Sequence, residues 1–168
     1  MSVFYRICAI GALLISLSQA AQAADLSAAM VTQIAAYMNA KPNADIAGLA
    51  ELAKANPGLA ADIAAQAAAD RNDLAALIAG AVAAADPADA AAIALAVLGA
   101  LPADQRDAAG PMIAAAVIQA VPGSADTLTA AGFSPGALNA TLTAQLAAIL
   151  TSAFTPPTEN SRQVGSAA

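Results

Sequence analysis

KPNADIAGLAELAKA (41–55), NPGLAADIAAQAAAD (56–70), RNDLAALIAGAVAAA (71–85), DPADAAAIALAVLGA (86–100) and LPADQRDAAGPMIAA (101–115) are five consecutive fifteen-residue segments, and their alignment decides the fold. The second position is Pro42, Pro57, Asn72, Pro87 and Pro102; the eighth is Gly48, Ile63, Ile78, Ile93 and Ala108. Proline suits the first position of a helix, where its missing N–H would have had no intrahelical partner. The residue before a proline is steered away from helical angles, so the preceding helix has to stop there. Each segment therefore predicts one helix of roughly 10–12 residues, about 15–18 Å long, followed by a short turn. The repeat array is expected over about 41–109. Biased composition accounts for the alanines, but less easily for four prolines on one fifteen-residue grid.

Asn56 and Asp86 stand before prolines and are the expected N-caps. Asp89, three residues after Asp86, extends this to a capping box built with aspartate. Lys41 and Leu101 hold the same position with poor capping side chains. Helices this short are marginal alone, so they must pack on their neighbours. Because a buried methyl contributes only about 0.8 kcal/mol, larger side chains have to anchor the core. The expected anchors are Ile46, Leu49, Leu52, Leu59, Ile63, Leu74, Leu77, Ile78, Val82, Ile93, Val97 and Leu98. The fold class is all-α: short Ala-rich helices in a solenoid-like stack or, as the alternative, a compact helical bundle.

Outside this stretch the chain begins with a leader. Arg6 supplies a positive start, Ile7 to Leu17 an apolar core, and Ala21-Gln22-Ala23 a small-x-small cleavage pattern, so residues 1–23 predict a secretory signal peptide cut after Ala23. The apolar core is shorter than the roughly 20 residues a spanning helix needs. Cys8, the one cysteine, would leave with the leader, so no disulfide is expected in the mature chain. Leu26 to Ala40 reads as a first helix with Met30, Ile34, Tyr37 and Met38 on one face.

Beyond the array, Gly110-Pro111 interrupts the register and predicts a kink or a split. Asp126 to Ala131 reads as a short helix closed by Gly132. Ser134-Pro135 then has the form of a cap and first-position proline for a last, capping helix over about 135–154. Leu138, Leu142, Leu146, Ile149, Leu150 and Phe154 form its stripe, and its threonines and Gln145 argue against a membrane span. From Thr155 to Ala168 the chain predicts a disordered tail, leaving one Ala-rich domain over 24–154.

Composition narrows the function. Removing the leader leaves five Lys or Arg against twelve Asp or Glu, a net charge of −7 with no basic cluster. Nucleic acid and anionic membranes are therefore poor partners. The sequence contains no histidine, which removes the commonest general base and metal ligand. Without a mature cysteine there is no thiolate nucleophile or structural zinc site. No serine sits in a Gly-x-Ser-x-Gly elbow and no glycine-rich phosphate loop occurs. The acid pairs Asp70/Asp73, Asp86/Asp89 and Asp104/Asp107 read as helix-start charges, too few per turn for calcium. Lys41 and Lys54 read as isolated residues at solvated helix ends.

No catalytic, cofactor-binding or metal-binding residue is nominated, and no cofactor is expected. The expectation is a non-catalytic helical protein of the bacterial cell envelope, periplasmic or secreted. Its partner would be an unknown envelope protein, making it an interaction or adaptor module. Self-association, as in a structural or matrix protein, is the alternative.

Overall fold

The computed structural model describes residues 26–154. The expected leader at 1–23 and the expected tail from Thr155 lie outside the described residues. Within them the chain is all-helical: α1 (Ala28–Met38), α2 (Ile46–Ala55), α3 (Ala60–Asp70), α4 (Ala75–Ala85), α5 (Ala90–Ala100), α6 (Ala103–Ala120), α7 (Ala125–Ala130) and α8 (Ala140–Phe154). No helix among the described residues is long and apolar enough to cross a membrane.

Four of these helices are entered through a 3-10 turn: Pro57–Leu59 before α3, Asn72–Leu74 before α4, Pro87–Asp89 before α5 and Pro122–Ser124 before α7. The residue in front of each turn has nearly the same backbone: φ/ψ is −134/64 at Asn56, −140/73 at Arg71, −133/79 at Asp86 and −133/83 at Val121. Its N–H closes the helix behind, on Ala53, Ala67, Val82 and Val117 respectively. Its carbonyl accepts from the N–H three residues ahead, at 2.9 Å for Leu59, 3.0 Å for Leu74, 3.3 Å for Asp89 and 3.0 Å for Ser124. Backbone alone makes the corner, and Asn, Arg, Asp and Val all fit it. The expected side-chain caps at Asn56 and Asp86, and the Asp86/Asp89 box, are not formed. Instead the Asn56 amide donates backwards to the Leu52 carbonyl at 2.9 Å.

Side-chain caps occur where this corner is absent. Ser27 accepts from the Met30 N–H, Asp45 from Gly48 and Asn139 from Leu142. Leu101 is extended instead, and there Arg106 covers the end of α5, donating to the carbonyls of Leu101 at 2.9 Å and Gly99 at 2.8 Å. A cation at that end also suits the helix dipole.

Helices two apart in sequence make the principal contacts, α1 with α3, α3 with α5, α2 with α4 and α4 with α6, giving two layers. Helix α4 is the centre, in contact with α2, α3, α5, α6 and α8. Nine of its eleven residues are buried, which is why it can be apolar all round. Helix α8 folds back over α2, α4 and α6. An open array touches only its sequential neighbours; contact between the last helix and the second makes this a compact bundle. The fifteen-residue period is kept by α3, α4 and α5, which start at 60, 75 and 90 with equal lengths, but α2 and α6 start at 46 and 103 and differ in length and capping, so the array does not extend as one repeated unit over 41–109.

Of the expected anchors, Ile46, Leu49, Ile63, Leu77, Ile78, Val82, Ile93 and Val97 are buried, and Leu52, Leu59, Leu74 and Leu98 pack part-buried against them. Fully buried alanines such as Ala50, Ala64, Ala79 and Ala114 let the helices meet on methyl groups. Helix α6 runs unbroken through Pro111. Ser134-Pro135 does not start α8: that segment runs non-helical across α6, where the Gly136 N–H donates to the Pro111 carbonyl at 3.0 Å. The helix begins only after Asn139.

Candidate functional site

The acid pairs are dispersed by the fold. Asp73, Asp89 and Asp104 do lie in first turns, where a carboxylate favours the positive end of the helix. Asp70 instead ends α3, accepting from the Gln66 amide at 3.2 Å, so the helix-start reading fails for it, while Asp86 both closes α4 and stands directly before the Pro87–Asp89 turn, with no side-chain cap bond. Among the described residues no three Asp, Glu, His or Cys side chains gather as a metal site would require. Lys54 is not isolated, since its ammonium lies 3.6 Å from Glu51.

Arg71 carries the most connected charge. Its guanidinium forks onto both carboxylate oxygens of Asp73 at 2.8 Å and also reaches the Met38 carbonyl at 3.3 Å, tying the α3–α4 corner to the end of α1. The hydrogen bonds from Arg71, aided by its charge, hold the Asp73 carboxyl below its usual range; reciprocally the guanidinium is held above its own. The pair is largely solvent-exposed and reads as a structural tie.

Next to it lies a shallow cleft between the 72–74 turn, α4, α6 and α8, floored by Ala76, Leu77, Ile113 and Leu142. Its volume of about 70 Å³ is several-fold below the roughly 300–1,000 Å³ of small-molecule pockets. Met112, 37% exposed, stands at its edge.

The largest departure from ordinary burial is on α5. From Ala90 to Leu101 the sequence AAAIALAVLGAL has no polar side chain, yet the helix is covered on only one side. Ile93, Ala94 and Val97 are buried, whereas Ala92, Leu95 and Gly99 face solvent, Leu95 at 48%. Nothing lies within 4 Å of where a Gly99 side chain would begin. The arrangement offers no nucleophile, base or ligand set; what it offers is apolar surface on a rigid helix. Sequence reasoning nominated no site here because an apolar run without periodicity reads as buried, as α4 is. No protein-family model matches the chain, and neither curated proteins nor solved structures give a match.

Proposed function

We propose that the protein is an exported, non-catalytic protein–protein interaction module of the bacterial cell envelope. The observation behind this reading is the open side of α5, where Leu95 is half exposed on a helix with no polar residue and Ala92 and Gly99 face solvent beside it. The leader-like residues 1–23 support the location, and the acidic charge balance disfavours nucleic acid and anionic lipid.

The test replaces Leu95 with a photo-crosslinking residue in the full chain, expressed in its own host, with periplasmic and membrane fractions kept apart. A second variant carries the same residue at Gln145, exposed on α8. A discrete adduct with another envelope protein, formed from position 95 and not from 145, is the expected result. Equal patterns from the two positions, or no adduct from 95, would overturn the reading. A ladder of self-adducts from 95 would replace it with a self-assembling envelope protein.

A further inference from the structure

Helix α8 closes the bundle on a narrow footing. Of its described side chains only Leu146 is fully buried, with Leu142, Ile149, Leu150 and Ala153 part-buried, whereas nine of the eleven residues of α4 beneath it are buried. No backbone corner couples α8 to α7. Residues 134–137 are exposed and non-helical, and the Gly136 N–H holds this stretch to the Pro111 carbonyl. On α8 itself the Gln119 amide reaches the Thr143 carbonyl at 3.4 Å, longer than an ordinary N–H···O bond. The cleft of about 70 Å³ between Leu142 and Ala76, Leu77 and Ile113 is not filled by the helix. Because α8 contains no charged residue, lifting it breaks no ion pair.

The one deep contact is specific. Leu146 lies where Gly80 leaves room: a methyl on Gly80 would stand 2.9 Å from a Leu146 Cδ and 3.1 Å from the Ala116 carbonyl oxygen. The groove of α2, α4 and α6 is thus fitted to a leucine of this chain's own α8. We propose that α8 is an exchangeable strap: it lifts from α2, α4 and α6 as a unit, hinged at 134–139, while α1 to α7 stay folded, and the groove it bares accepts α8 from a second copy. A helix with so little buried surface opens below the free energy of global unfolding. Exchange between copies costs little, because the contacts given up in one chain are remade in the other. The α5 face plays no part in it.

Hydrogen exchange of the full chain in low urea tests the opening. Amides 144–154 should open together, with a smaller urea dependence than the slowest amides of α3 to α5, as a unit exposing only part of the buried surface does. A fluorescent peptide of residues 138–154, titrated into the full chain and followed by anisotropy, tests the exchange. Wild type should bind it weakly, because its own α8 competes at an effective concentration of about millimolar. Leu146→Ala in the chain should tighten binding about ten- to a hundredfold, since the competing helix loses its buried leucine. The same substitution in the peptide should abolish binding. Gly136→Ala, which crowds Pro111 and leaves the groove intact, should tighten binding about five- to thirtyfold and repeats the test should the Leu146 variant unfold. Gly80→Ala added to the Leu146→Ala chain should weaken the peptide again, because the methyl occupies the seat of its leucine.

Exchange of amides 144–154 only through global unfolding, or with no protection at all, would overturn the strap. A peptide that binds neither loosened chain, or that binds with and without its Leu146 alike, would overturn the exchange.

Discussion

Leu146 is the one fully buried side chain among the described residues of α8, and it sits over Gly80 of α4. A methyl placed on Gly80 would lie 2.9 and 3.1 Å from the two Leu146 Cδ atoms and 3.1 Å from the Ala116 carbonyl oxygen of α6. Three helices therefore meet where no side chain fits. Leu146→Ala should cost about 3 kcal/mol, within the 2–5 range for a buried leucine, and lower Tm by roughly 10 °C. Gly80→Ala alone gains about 1 kcal/mol of helix propensity and loses about 1–3 to overpacking, so it should be neutral to mildly destabilising. In the Leu146→Ala background the leucine contacts are gone and the new methyl occupies part of the vacated space. The double variant should then be about 1–2 kcal/mol more stable than the sum of the single effects. Urea unfolding followed by circular dichroism at 222 nm measures all four corners of the cycle. Additivity within about 0.5 kcal/mol, or a Leu146→Ala cost below about 1 kcal/mol, would refute the seating of α8 on the bundle.

Gly136→Ala should cost about 1–2 kcal/mol by overpacking, because the new methyl would lie 2.8 Å from Pro111 Cβ and 3.3 Å from its carbonyl group; amide exchange should rise at 134–139 first. Asp45→Ala and Asn139→Ala should each cost about 1 kcal/mol in thermal melts as lost caps, while Asp89→Ala, which removes no cap hydrogen bond, should cost clearly less. The folded-state pKa of Asp73 lies below its unfolded value, so its contribution is fully present above the unfolded pKa and is lost as pH falls through the folded one. Unfolding free energy measured from pH 6 downwards should therefore fall less steeply in Asp73→Asn than in wild type below the usual carboxylate range.

Much of the fold is legible in the sequence because prolines and branched side chains act locally. Pro57, Pro87 and Pro122 each mark the start of a helical segment, and none of the expected anchors is exposed. What misleads is the residue before the proline. Asn56 and Asp86 have the chemistry of N-caps, but the corner consumes their backbone for the helix behind and leaves the side chain no such task. Ser134-Pro135 is a start signal overruled from a distance, since the Gly136 N–H is held by Pro111, and no local pattern encodes that contact. Helices α4 and α5 are similarly apolar in sequence. The bundle surrounds one and leaves the other half open, a difference set by where α8 lands and not by either helix's own residues.

The backbone corners also dictate where the chain can change length. With the N–H of one residue closing a helix and its carbonyl opening the first turn of the next, an inserted residue cannot be absorbed locally. It would turn the following helix by about 100° about its axis and swing its buried face outward. Three connectors lack such a corner, 39–45, 101–102 and 131–139; the middle one is two residues long and clamped by Arg106, so insertions and deletions belong in the two longer ones. Lys41, Pro42 and Asn43 are exposed in the first of these, which makes that loop the place for an epitope tag, an inserted domain or new chain termini.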